Sequence, residues 1–148
     1  MSKKGLLIVS ILAGMLLLPG SLHAQCKQFA KNTCKSGLSP FQHDGNYHAA
    51  LLIEGEEAEL YKTFYSDRNY RVGVCGAPNL AEVEFKVVDT RTGKILFDNS
   101  HHDYVWNWDF KLESSQQLKI MVKVVAPATK VSEPEEGCVA IMFGSKDG

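Results

Sequence analysis

The sequence predicts an all-β fold: a two-sheet antiparallel sandwich, jelly-roll-like, of about eight strands preceded by a short N-terminal helix. Three observations carry that expectation. From Trp106 to Leu112, and again from Leu118 to Val124, apolar and polar residues alternate at period two, the mark of half-buried strands. The polar insert Glu113 to Gln117 between them reads as a turn. Similar short runs, separated by turn residues, recur from Tyr47 to Phe143 with no internal repeat. Helical spacing is confined to one place, where Cys26, Phe29, Ala30, Thr33 and Cys34 fall at i, i+3, i+4, i+7 and i+8.

The first segment reads as a leader. Lys3 and Lys4 precede an apolar run from Gly5 to Leu18, which Pro19-Gly20 breaks, and Ala24 offers a small residue for cleavage. The run is short for a membrane span of about 20 residues. A lipid-bearing cysteine at Cys26 requires cleavage directly before it, where Gln25 is a poor fit. The expected organisation is a signal peptide over 1–24, a helix and loop over 25–46 and the sandwich over 47–148. Removing 24 of the 148 residues leaves 124, enough for one domain with an ordinary core. It also removes two lysines and takes the formal charge from −1 to −3. With no basic stripe, nucleic acid is not an expected partner, and no membrane anchor remains after cleavage.

The helix is expected over Cys26 to Leu38, with Gly37 and Pro40 to stop it, then a loop over Phe41 to Asn46. Strands follow at His48–Ile53, Ala58–Tyr65, Tyr70–Cys75, Glu82–Asp89 and Lys94–Phe97. Gly93 is expected at positive φ in the hairpin joining the last two. After the polar loop Asp98 to Asp103 come Trp106–Leu112 and Gln117–Val125, then a long exposed loop from Ala126 to Gly137. Val139 to Phe143 is continuously apolar and reads as a central strand covered on both sides.

All four cysteines lie beyond the leader, and an even count in an oxidising compartment implies disulfides. No C-x2-C spacing supports zinc. In a jelly-roll wiring the strand ending at Cys75 runs antiparallel beside the one beginning at Cys138. A Cys75–Cys138 bridge is therefore expected, worth roughly 4 kcal/mol in the chain-entropy model, with Cys26 and Cys34 as the second pair. That second pair conflicts with the helix, because eight helical residues span about 12 Å. Either the segment is not a regular helix, or Cys34 bridges to the sandwich and Cys26 is free or paired differently.

Glu54-Gly55-Glu56 with its following strand, Tyr70-Arg71-Val72-Gly73-Val74, the hairpin Asp89-x-x-Thr92-Gly93-x-Ile95-Leu96 and Leu118-x-Ile120-x-Val122 resemble the pre-peptidase C-terminal-type β-sandwich modules of secreted bacterial peptidases. Asp44-Gly45 and Gly137-Cys138-Val139 also resemble small exported Gram-negative proteins of unassigned function. The likeness covers roughly Glu54 to Gly144. The module's Gly-x-Tyr-Tyr ending is replaced by Gly137-Cys138-Val139. The resemblance implies a fold and an exported setting, not an activity.

His101-His102-Asp103 is the most site-like cluster. Imidazoles with a carboxylate suit Zn²⁺, and Asp98, Asn99 and Asp103 offer oxygens suited to Ca²⁺. His43-Asp44 and His48 complete such a site only if the fold brings them there. The plainer reading is a solvated connection, and no cofactor or metal is expected. The chain has no G-x-S-x-G, S-x-x-K or H-E-x-x-H. Glu54, Glu56, Glu57 and Glu59 read as a solvated acidic turn. Tyr61 and Tyr65 share a strand face with Glu59 and Thr63. That face is either a partner surface or the seat of the N-terminal helix. Trp106 and Trp108, by strand period, both belong to the core face. The expected function is an exported non-catalytic binding or structural module of the envelope or extracellular space, meeting a protein or envelope component. The alternative is a small metal-dependent hydrolase with its site near the His101 loop.

Overall fold

Strand alternation sorts the chain into two facing antiparallel sheets. The computed structural model describes residues 22–129 and 131–148, so most of the expected leader lies outside the described residues. The first sheet holds β1 (Gln42–His43), β2 (His48–Ile53), β4 (Arg68–Gly76), β7 (Asn107–Lys111) and β9 (Glu136–Asp147). Both β1 and β2 pair with β9, followed by β4 and then β7. The second sheet holds β3 (Glu57–Phe64), β5 (Glu82–Asp89), β6 (Ile95–Asp98) and β8 (Gln116–Val125), in the order β3-β8-β5-β6. From β2 onward every connection crosses between sheets except the β5–β6 hairpin, where Gly93 sits at φ 73°. The orders β2-β9-β4-β7 and β3-β8-β5-β6 are those of a jelly roll. The ninth strand is the two-residue β1, in a stretch expected to be loop.

The main core fills the space between the sheets. Val72, Val74, Val139, Ile141 and Phe143 reach it from the first, and Phe64, Phe85, Val87, Leu118, Ile120, Val122 and Val124 from the second. The two alternating runs after Trp106 do not form one sheet face. β7 lies in the first sheet and β8 in the second, so their apolar sides meet across the core. The connection Leu112 to Ser115 is where the chain crosses over. β9 is central, as its unbroken apolar run requires, with Ala140 and Met142 turned to the sheet's outer side.

A second, smaller layer covers that outer side. The chain is helical from 22 to 38, as α1 (Leu22–Phe29), a π turn (Ala30–Cys34) and a 3₁₀ turn (Lys35–Leu38). Cys26, Ala30, Cys34 and Leu38, four residues apart, are its buried stripe. Small residues of the sheet let it settle closely, among them Ala140 and Gly73, where an added Cβ would meet Trp106 and Leu38.

The disulfides correct the expected pairing. Cys26 bridges Cys138 and Cys34 bridges Cys75, with Cα separations of 5.1 and 5.8 Å. β4 and β9 are antiparallel neighbours as anticipated, but Cys75 stands opposite Ala140. Cys138 is then a diagonal neighbour, about 7–8 Å away and beyond the usual bridging range. Cys26 and Cys34, two helical turns apart on one face, each reach down to a different strand of the sheet beneath. The helix and the disulfides are therefore compatible.

The tryptophans are also corrected. Trp108 packs against the main core, but Trp106 does not. Asp103 and Tyr104 take positive φ, and β7 begins only at Asn107, so Trp106 falls outside the pleat. Its carbonyl accepts from Val74 N–H, and its ring lies against Gly37, where a Cβ has no room. It is 38 % exposed.

Candidate protein-binding face

The covered first sheet leaves the second sheet with the molecule's bare face. In antiparallel strands, residues directly opposite share a side. The outward rows are therefore Glu57–Lys123–Glu84, Glu59–Met121–Lys86 and Tyr61–Lys119–Val88–Ile95. Tyr61 is 50 % and Ile95 52 % exposed. Thr63 and Gln117 form the next row. Tyr65, just past the end of β3, is 62 % exposed, and its N–H donates to the Tyr70 hydroxyl. The N-terminal helix packs on the opposite sheet, so neither tyrosine lies under it.

Ion pairs order the charges around these apolar groups. Glu57 meets Lys123 at 3.5 Å, Glu59 meets Lys119 at 3.9 Å, and Lys86 meets Glu84 at 3.0 Å and Asp98 at 3.7 Å. The Tyr61 hydroxyl donates to Glu59 Oε1 at 3.2 Å. The Glu84 hydrogen bond and charge hold Lys86 above its ordinary range. Exposed pairs of this kind add little stability. Tyr61 and Ile95 are thus the apolar groups this face shows to solvent, with Met121 half-buried between the charged pairs. Three of the four early glutamates have defined places. Glu56 Oε2 accepts from Ile53 N–H in the β2–β3 turn, while Glu57 and Glu59 are paired on the face.

At the far end of β6, the His101 loop is built around Asn99, which is fully buried. Its Oδ1 accepts from Phe85 N–H at 2.8 Å, and its Nδ2 donates to the carbonyls of Val83 and Val105. Its carbonyl accepts from His102 and Tyr104 N–H. Asp98 accepts from Ser100 N–H and Oγ–H. Burial pushes the Asp98 carboxyl up, but the Ser100 hydrogen bonds and Lys86 outweigh it and leave it below the usual range. The oxygens offered for Ca²⁺ by Asp98 and Asn99 are thus engaged within the protein. The His102 ring stacks on Phe97, which stacks on Trp108, which stacks on Phe110. This ladder closes the sandwich between β6 and β7.

His43 and His48 lie at the other edge, on β1 and β2. His43 Nε2 contacts Asn46 O and stands 3.7 Å from Asp44, which also pairs with Lys62 of β3. The fold therefore separates these histidines from His101, His102 and Asp103. Among the described residues no group of three or more His, Cys, Asp or Glu is placed to hold a metal ion. Nothing local in the sequence marked Asn99 as structural; its only signal was an amide among loop residues.

The wiring, with one sheet partly covered by the helical layer and the other bare, defines a small jelly-roll sandwich. A solved structure with a similar fold is PliG of Aeromonas hydrophila, a periplasmic lysozyme inhibitor of g-type lysozyme. It is 12 % identical, with a TM-score of 0.51 over 72 % of this chain and 89 % of that one. At that identity the likeness speaks for the fold. No protein-family model matches the chain, and no curated protein matches it significantly.

Proposed function

We propose that this protein is an exported, non-catalytic module that binds another protein through the bare sheet of β3, β8, β5 and β6, and that its partner is a secreted hydrolase of the lysozyme class. The observation that carries the reading is the asymmetry of the sandwich. One sheet is covered over β2, β9 and β4 by a stapled helical layer, and the other exposes Tyr61 and Ile95 among paired charges. Two disulfides and no free cysteine among the described residues suit an oxidising compartment. The fold shared with a periplasmic lysozyme inhibitor supports a protein partner.

The test is binding of the purified protein to a panel of lysozymes that includes a g-type enzyme, with their activity followed in parallel. Binding by at least one, weakened at least about tenfold by Tyr61→Ala or Tyr65→Ala at unchanged melting temperature, is the expected result. Binding untouched by Tyr61→Ala, Tyr65→Ala and Ile95→Ala together rules out the face. No binding to any lysozyme rules out the partner class.

A further inference from the structure

We propose that the crevice between β2 and β3 is a binding site for a single-chain amphiphile with an anionic head, a medium-chain fatty acid in its carboxylate form. The two sheets part at this edge and leave a cavity of about 260 Å³. Its walls are Ala50, Leu52, Ala58, Leu60, Val122 and Ile141. The space exists because Ala50 and Ala58 stand where most other inward positions carry larger side chains. A trough so lined does not hold water well, and an alkyl tail would replace that poor solvation with contacts. From Ala58 to Lys62 the strand rises about 13 Å, a length suited to a tail rather than to a compact solute.

The polar groups gather at one end. His48 forms part of the lining. Lys62 shares the inward side of β3 with Ala58, Leu60 and Phe64. Its ammonium lies 4.9 Å from the centre of the Phe143 ring and 3.0 Å from Asp44 Oδ2. An ammonium has three hydrogens, so Lys62 can keep Asp44 and still donate to a second anion. Glu59 also lines the crevice, but its carboxylate is engaged by the Tyr61 hydroxyl and Lys119. The remaining groups around His48 are His43, Asp44 and Lys62, with Tyr47 beside His43. Lys62 and His48 are thus the donors at the mouth, and one negative head is their complement. Such a head also favours protonation of His48, so binding tightens as pH falls through the histidine range.

Calorimetric titration of the whole protein with decanoate, decanol and decyltrimethylammonium, each below its aggregation concentration, tests this. Decanoate should bind at least about tenfold tighter than the cation, and tighter near pH 6 than near pH 8. Lys62→Met should remove the preference for decanoate and leave decanol binding. Ala58→Leu and, separately, Ala50→Leu should fill the trough and abolish binding of all three, with melting temperatures at or above that of the parent. Absence of saturable decanoate binding, equal binding of the cation, or binding that survives both filling variants would overturn the site. So would an unchanged ligand order in Lys62→Met, which would leave that lysine only the role of guarding a strand edge.

Discussion

Arg71 and Asp109 face each other across the β4–β7 register and join through two hydrogen bonds, Nε to Oδ1 at 2.6 Å and Nη2 to Oδ2 at 2.8 Å. The same guanidinium donates from Nη1 to the carbonyls of Gly37 and Ser39, and it lies over the Phe41 ring. One side chain therefore ties the end of the helical layer to the sheet beneath it, as a third anchor beside the two disulfides. The Asp109 hydrogen bond also raises the Arg71 pKa. A lysine keeps the charge but not the fork. Arg71→Lys is expected to cost about 2 kcal/mol in urea unfolding, because several charge-assisted bonds lose their geometry. An unchanged midpoint would show that Phe41 and the disulfides suffice.

The bridges themselves give a second expectation. Non-reducing peptide mapping should join Cys26 to Cys138 and Cys34 to Cys75. The separations are 112 and 41 residues. In the chain-entropy model, removing the longer bridge costs about 5 kcal/mol and the shorter about 4 kcal/mol. Because the main core lies between the sheets, hydrogen exchange of a Cys34→Ser, Cys75→Ser protein should quicken over 22–38 before it does over β8.

Asn99 satisfies one backbone donor and two backbone acceptors from inside the fold. Asn99→Ala should therefore cost about 3 kcal/mol, since it leaves buried groups without partners. Asn99→Asp should be as harmful, because it presents a carboxylate to the carbonyls of Val83 and Val105. Thermal melts of both variants check this, and a harmless Asn99→Ala would mean that water takes the amide's place.

His48 predicts a pH dependence. Burial lowers its pKa from the ordinary 6.5, partly opposed by Asp44. Between the folded and unfolded values the unfolded chain binds more protons, so stability rises with pH there. The contribution is whole above about 6.5 and fades as pH falls through that value toward the folded one. Asp44 acts lower. Burial raises its carboxyl, but the Asn46 N–H and Lys62 outweigh this and hold it below 3.8, so its contribution fades only in acid below that point. Melting temperature should thus decline below about pH 6.5, and His48→Gln should flatten that decline. An identical slope in the variant would assign it to another group.

Trp108 and Trp106 should part company in fluorescence and stability. Trp108→Ala removes a ring stacked between Phe97 and Phe110 and should cost about 3 kcal/mol. Trp106→Ala should cost less and should remove the more red-shifted emission. Gly37→Ala should displace Trp106, because the ring occupies the position of the new methyl.

Much of the fold was legible because strand period is a local signal. His48–Ile53 and Glu82–Asp89 were readable to the residue, and the unbroken apolar run of β9 marked a strand buried on both sides. Cysteine pairing was not legible. It depends on a diagonal offset between β4 and β9, and on whether a helix lies above them. Trp106 was misassigned because period two was extended across a loop where positive φ at Asp103 and Tyr104 breaks it. The exposed side of Tyr61 and Tyr65 was visible as a face, but which sheet the helix would cover was not. The crevice was invisible, since two alanines in separate strands say nothing until the sheets are assembled.

The bridge between Cys26 and Cys138 closes nearly the whole described chain into a covalent ring. A protease that cuts the exposed stretch 126–129 between β8 and β9 produces two pieces, one carrying Cys26 and the other Cys138 and all of β9. They stay linked, and the severed strand remains paired with β4 and β2 in the middle of its sheet. Nicking in a degradative compartment therefore need not release anything, and only reduction would allow the fragments to part.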